Sequence, residues 1–327
     1  LGMQVAAYVD GELVVDAWAG IADEASGRAV DERTMFGVSS ASKGLAATCT
    51  HLLAERGKLD YDERVATYWP EFAANGKERT TVRHILSHRS GIGNAPEGFG
   101  PEMAVDWART CAAIAAMQPL FEPGTKTAYQ NFTFGYLTGE LIRRIDGRTI
   151  GQFLQDEVCR PLEIDSMFFG VPSSELGRVA TIKAPERPRQ PNSLSSLDFN
   201  RTDIRQSAIP STGGIMTARS LARHYDALLR GELLPLSRIA LATEIHTDEI
   251  DSVWNVRIKR GLGYRLNGDT GPGAGPRAFG HVGAGIYGYA DPDRRLAIAF
   301  VRNYMGPSAG PPAGDTVADA ILQALSS

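Results

Sequence analysis

Cysteine and lysine are scarce in this chain: 327 residues carry three of the first and six of the second. Cys49, Cys111 and Cys159 form an odd set without paired spacing, which argues against a disulfide framework, and each falls in an apolar, helix-like stretch that suits a buried free thiol. Long apolar runs are missing too. None reaches the ~18 residues of a membrane span, and no charged-then-apolar leader opens the sequence. A cytoplasmic protein is therefore expected, but the chain enters a strand pattern almost at Leu1, as a truncated one would, which leaves export open. Basic charge is not in excess: 34 Lys and Arg stand against 38 Asp and Glu, a net charge of -4. Nucleic acid is therefore not an expected partner, because its binders carry a basic stripe or surplus. No G-x-G-x-x-G follows a strand and no phosphate loop occurs, so no cofactor or metal is implied.

What remains is an ordinary globular composition, 43% hydrophobic and 22% charged, in a chain long enough for two domains or one domain with a large insertion. Residues 3 to 19 alternate in hydrophobicity around Asp10-Gly11, the pattern of an antiparallel hairpin. Leu45, Cys49, Leu52 and Leu53 recur at helical spacing over Ala41 to Lys58, and Gly57 suits the left-handed stop. The middle of the chain reads mostly as helices and loops, among them helices at 103 to 118, 132 to 146, 150 to 159 and 217 to 230. A proline-rich irregular segment runs from Lys183 to Pro210. Strand patterns return at Ala278 to Ala290 and Leu296 to Asn303, and Thr316 to Leu325 closes the chain as a helix. The expected fold class is α/β (α+β): an antiparallel sheet from residues 1–65 and 241–327, flanked by helices and interrupted by a helical domain at 66–240, with the site in the cleft between them.

Three clusters can carry chemistry. Ser40-Ala41-Ser42-Lys43 puts a hydroxyl and an amine on one helical face, at a helix N-terminus that favours an attacking oxygen. Tyr129-Gln130-Asn131 follows the turn Pro123-Gly124; a phenol beside an amine can lower its own pKa and relay a proton, and an amide can orient a carbonyl. Gly280-His281-Val282-Gly283-Ala284-Gly285 lies on a strand pattern, where glycines mark close approach of a ligand to the backbone.

In this order the clusters resemble the serine β-lactamase and penicillin-binding-protein fold, in its class C-like branch that includes family VIII carboxylesterases, D-aminopeptidases and DD-peptidases. Ile85-Leu86-Ser87-His88-Arg89-Ser90-Gly91 and Ser211-Thr212-Gly213-Gly214 extend the resemblance over nearly the whole chain. It implies that Ser40 is the acylated nucleophile, Lys43 its base and Tyr129 a partner in base duty. It further implies that the N–H groups of Ser40 and Ala284 form the oxyanion hole, and that Asn131, His281, Gly283, Ile286 and Tyr287 contact substrate. His281-Val282-Gly283 replaces the usual Lys-Thr-Gly, which points away from recognition of a carboxylate by charge. The expected activity is hydrolysis of small or medium acyl esters through an acyl-enzyme. The alternatives are a β-lactamase, DD-peptidase or D-aminopeptidase-like amide hydrolase, an acyltransferase, or a non-catalytic binder of the same fold. In each case the partner is a small-molecule ester or amide. Two other motifs carry less weight. Gly306-Pro307-Ser308-Ala309-Gly310 has the letters of a nucleophile elbow without its strand and helix, and His84 and His88 are spaced like metal ligands but lack the following Glu, so a structural role is expected for both.

Overall fold

The computed structural model describes residues 1–184, 197–305 and 313–326; the elbow-like stretch around Ser308 and part of the proline-rich segment lie outside them. In chain order the strands are β1 (Gly2–Val9), β2 (Glu12–Asp23), β3 (Arg28–Ala29), β4 (Phe36–Gly37), β5 (Met167–Phe169), β6 (Gly214–Met216), β7 (Thr247–Ile250), β8 (Arg257–Arg260), β9 (Arg265–Leu266), β10 (Phe279–Gly283), β11 (Ile286–Asp291) and β12 (Leu296–Arg302). Nine of them form one sheet in the order β3-β2-β1-β12-β11-β10-β9-β8-β7, and β4, β6 and β5 form a small second sheet. Every pairing among these strands is antiparallel.

The opening hairpin turns where expected. Val9 faces Glu12 across a two-residue loop, and Asp10 and Gly11 take φ of 54° and 86°, the backbone a tight hairpin of this twist requires. β1 then pairs with β12 from Met3 opposite Arg302 to Val9 opposite Leu296. The two ends of the chain thus close one sheet.

Helices cover both faces. Ser42–Glu55 and Ala218–Leu229 lie against one face, the latter packed on β1, β11 and β12, with Thr217 capping it by accepting from Ser220 N–H at 3.1 Å. Ala313–Ser326 covers the opposite face above Tyr287, Tyr289 and Phe300, where a smaller apolar core sits. Helix Thr133–Asp146 packs on Ser42–Glu55 and stops at Gly147, whose φ of 88° suits a left-handed cap. The main core runs without a break from the sheet through Leu45, Leu53, Phe134 and Leu137 to Phe153.

Several boundaries differ from the sequence reading. Ala218–Leu229, placed by its number within the insertion, packs on strands of the large sheet. β4 from the first segment pairs with β6 from the insertion, and the continuous core makes the helical part a layer of the same body. The stretch 103 to 118 is two helices, Pro101–Ala104 and Trp107–Ala116, the second restarted by the Asp106 carboxylate accepting from Arg109 N–H at 3.0 Å. Residues 150 to 159 are an α-helical turn followed by a π turn. Ala278 to Ala290 is not one strand, because Ala284 and Gly285 take φ of 54° and 73° and fold it into the β10–β11 hairpin. All three cysteines are free and buried, as expected, and burial raises each thiol's pKa.

Gly280 shows how tightly that hairpin is built. A Cβ there would lie 2.3 Å from Gly288 O and 2.6 Å from Tyr289 Cα, whereas one on Gly268 would meet nothing. Gly280→Ala is expected to cost at least ~2 kcal/mol through forced backbone movement, and Gly268→Ala no more than ~0.5 kcal/mol. Urea unfolding of the two variants checks this, and equal midpoints would count against the packing described.

Candidate active site

Ser40 lies in a 3-10 turn, Ser39–Ala41, that leads directly into helix Ser42–Glu55. Ser39 has a φ of 48°, an uncommon conformation for a residue with a side chain, of the kind strained functional turns hold. The turn is tied down by Ser42, whose hydroxyl donates to Ser39 O at 2.6 Å and accepts from Gly214 N–H at 2.9 Å. Ser42 is therefore structural.

Lys43 is fully buried. Its Nζ lies 2.8 Å from Asn131 O, 2.9 Å from Ser211 O and 3.3 Å from Ser40 Oγ. Two carbonyls can only accept, so they take two N–H bonds; a neutral amine then has its lone pair left for the Ser40 hydroxyl. Burial, followed by the nearby charges of Arg265 and Arg260, pushes the Lys43 pKa well below its ordinary value, which is what a lysine base near neutral pH requires. Ser211 has a second duty. Its hydroxyl accepts from Gly135 N–H at 2.6 Å and donates to Phe132 O at 2.5 Å, which locks the start of helix Thr133–Asp146 beside Lys43.

The Tyr129 ring lies 4.8 Å from Lys43 Nζ. Its hydroxyl is buried and makes no well-formed hydrogen bond among the described residues. Burial raises its pKa, opposed by Arg265, by Ser40 and by Arg260. This direction is opposite to the lowering expected from the sequence for Tyr129, a phenol beside an amine. Gln130 anchors it to the loop at 85–91, since its Nε2 donates to Ile85 O at 3.0 Å, its Oε1 accepts from Ser90 at 2.5 Å and its backbone N–H donates to His88 Nδ1 at 3.0 Å. His88 is therefore a structural acceptor, neutral because burial and the Arg260 charge lower its pKa. His84 completes a capping box with Thr81. No group of three or more His, Cys, Asp or Glu able to hold a metal occurs among the described residues.

The β10–β11 hairpin closes over the serine. A Cβ on Gly283 would fall 2.7 Å from Ser40 N and 2.8 Å from Ser40 Cβ, so only glycine permits this approach. Among the described backbone bonds of turns and loops, none is donated by the N–H group of Ser40 or of Ala284. Arg302 donates from Nη2 to Ala284 O at 3.0 Å and steadies the turn.

The other expected residues divide. Asn131 gives its carbonyl to Lys43 and keeps a partly exposed side chain. His281 is buried, its Nδ1–H donating to Val282 O at 3.1 Å; burial and the Arg265 and Lys43 charges hold its pKa well below 6.5, so it is neutral as expected. Ile286 and Tyr287 do not line the site. Ile286 pairs with Gly283 and is wholly inside the main core. Strand alternation turns the next residue to the other face, where the Tyr287 hydroxyl donates to Gly314 O at 2.9 Å.

Three residues escaped the sequence reading. Arg260 is buried and paired with the equally buried Asp251 at 2.8 Å. Arg265 stands with its guanidinium carbon 5.8 Å from the Tyr129 ring centroid and 4.8 Å from that of Trp254, and Trp254 packs on Tyr129 at 4.2 Å. They come from short strands and a loop tip without a motif, and only the fold brings them to the site.

A family model described as Beta-lactamase matches residues 1–323. Esterase/beta-lactamase LipL of Mycobacterium tuberculosis is 32% identical, covering 92% of this chain and 77% of its own length. A solved family VIII carboxylesterase superposes with a TM-score of 0.90 at 34% identity, over 99% of this chain and 92% of that one. A penicillin-binding protein homologue from Caulobacter crescentus gives 0.86 at 36%, over 94% and 88%.

Two expected outcomes test this electrostatic arrangement. Arg265→Gln removes a charge that lowers the Lys43 pKa, so the rising limb of fluorophosphonate labelling of Ser40 should move to higher pH; no movement, or movement downward, would refute the assignment. Asp251→Ala strands a buried guanidinium and should cost ~3–5 kcal/mol in denaturant unfolding.

Proposed function

This chain belongs to the beta-lactamase family and is a serine hydrolase of that fold, and from that premise we propose that its substrates are carboxylic esters with small or medium acyl groups. The observation that carries the reading is the buried, neutral His281 at the position where a lysine would hold a carboxylate. An uncharged ester makes no demand for such a charge. The similarity to a family VIII carboxylesterase supports the same reading.

The proposed reaction runs in two halves. Neutral Lys43 takes the Ser40 proton as Oγ attacks the ester carbonyl, and the tetrahedral oxyanion is received by the N–H groups of Ser40 and Ala284, each such donor being worth roughly 10²–10³ in rate. Collapse breaks the bond to the alcohol oxygen, which leaves with a proton delivered through Tyr129 from Lys43. Water, giving a proton back to the same pair, then attacks the acyl-Ser40 ester and releases the acid and the free serine. One ester and one water yield one acid and one alcohol.

A second reading, hydrolysis of β-lactams or D-amino acid amides, is favoured by a single observation: Arg265, whose Nε has no hydrogen-bond partner among the described residues, offers positive charge that His281 lacks. Mass spectrometry after exposure to a penicillin separates the two, since a lasting adduct on Ser40 would support the second.

For the ester reading, p-nitrophenyl acetate and butyrate should be hydrolysed by the unmutated protein and not by Ser40→Ala; equal rates would end it. Lys43→Ala and Tyr129→Phe should each lower turnover at least ~10-fold with the fold intact.

A further inference from the structure

The loop Asp251–Val256, between β7 and β8, is held as a fixed platform beside the proton donor. Asp251 Oδ1 accepts from the N–H groups of Val253 at 2.9 Å and Trp254 at 3.1 Å, while its Oδ2 pairs with Arg260. Asn255 N–H donates to Asp251 O at 2.8 Å, and Ser252 N–H donates to Thr127 O at 2.9 Å, two residues from Tyr129. On this platform the Trp254 indole is 39% exposed although it packs on Tyr129 and on the Arg265 guanidinium. Val253 at 40% and Leu120 at 52% are similarly open. Both reach the same point, since a Cβ on Gly93 would lie 3.2 Å from Val253 Cγ2 and 3.6 Å from Leu120 Cδ1. Large apolar side chains kept in water around a built site mark a contact surface.

We propose that Trp254, Val253 and Leu120 form the wall that receives the apolar part of the alcohol, the leaving group of the ester, and that the enzyme therefore prefers aryl and other bulky apolar alcohols. The side of the site follows from the chemistry. A group that protonates the departing oxygen must come within hydrogen-bond reach of it, and Trp254 packs on the ring of that group, Tyr129. Whatever is attached to the departing oxygen is therefore carried toward the indole, while the acyl part stays with Ser40. Arg265, whose guanidinium stands against both rings, adds positive charge on the same side, which favours the negative charge that develops as an aryl alcohol leaves. Other occupants of the patch, an acyl chain or a lipid surface, predict different outcomes below.

This inference rests on the ester reading and has its own test. Ratios of kcat/KM, variant over unmutated, are measured on 1-naphthyl acetate, on 2,2,2-trifluoroethyl acetate, and on 4-nitrophenyl acetate and octanoate. Trp254→Ala is expected to lose ~10-fold on the naphthyl ester and less than ~2-fold on the trifluoroethyl ester, because only the first loses buried apolar area. The two nitrophenyl esters should lose equal factors whatever the acyl length. Leu120→Ala, at a more exposed position, should show a smaller loss with the same selectivity, and Trp254→Phe should restore most of it. Equal losses on the naphthyl and trifluoroethyl esters, or a loss that grows from acetate to octanoate, would overturn the assignment in favour of a structural role or an acyl-chain site. A selective gain only when substrate is presented on phosphatidylcholine vesicles, lost in Trp254→Ala, would overturn it in favour of a lipid surface. If the unmutated protein hydrolyses none of the four above the Ser40→Ala background, the ester reading itself fails and this inference falls with it.

Discussion

An amine enclosed by protein and bonded to two carbonyls sets the terms for everything around it. Lys43 cannot stay charged without cost where no carboxylate faces it, and two guanidinium groups nearby increase that cost. Its neutral form is satisfied by Asn131 O, just before helix Thr133–Asp146, and Ser211 O, just before β6. The proposed base is thus assembled only when helix Thr133–Asp146, the β6 approach and helix Ser42–Glu55 have all docked. Nucleophile activation and tertiary packing are one event.

The sheet contributes differently. β10 brings Gly283 against Ser40, and the turn that follows presents an N–H with no partner in the backbone ladder. Hairpin geometry and Arg302 on β12 fix this turn, so under the proposed reaction no dipole has to swing into place as charge develops. β12 in turn pairs with β1. The first strand of the chain therefore supports a site whose nearest residue is some forty positions further on.

How much of this the sequence made legible varied with its physical source. The approach of Lys43 to Ser40 and the opening hairpin were readable because both follow from local spacing, three residues on a helix and alternation about Asp10-Gly11. His281 was readable as neutral because its type fixes that tendency. Tyr287 misled because one tight turn at Ala284-Gly285 decides which face each later strand residue takes, and a stretch of mixed glycines and apolar residues does not announce that turn. The Ala218–Leu229 helix was legible as a helix, but nothing in its sequence named the strands it packs on. Arg260, Arg265 and Trp254 gave no signal, since a cation and an indole in a polar loop look like any solvated surface until the strands bring them to Tyr129.

The Asp251 platform joins two properties that could have been kept apart. Its carboxylate neutralises a buried arginine and shapes the loop through backbone N–H groups, and none of those bonds uses the side chains at 253 or 254. Position 251 is therefore closed to change while its neighbours are open. With the alcohol wall as proposed, duplicated copies of this gene that drift at 253 and 254 acquire new alcohol preferences at little expense in folding, a division of labour that lets selectivity diversify while the loop that carries it stays constant.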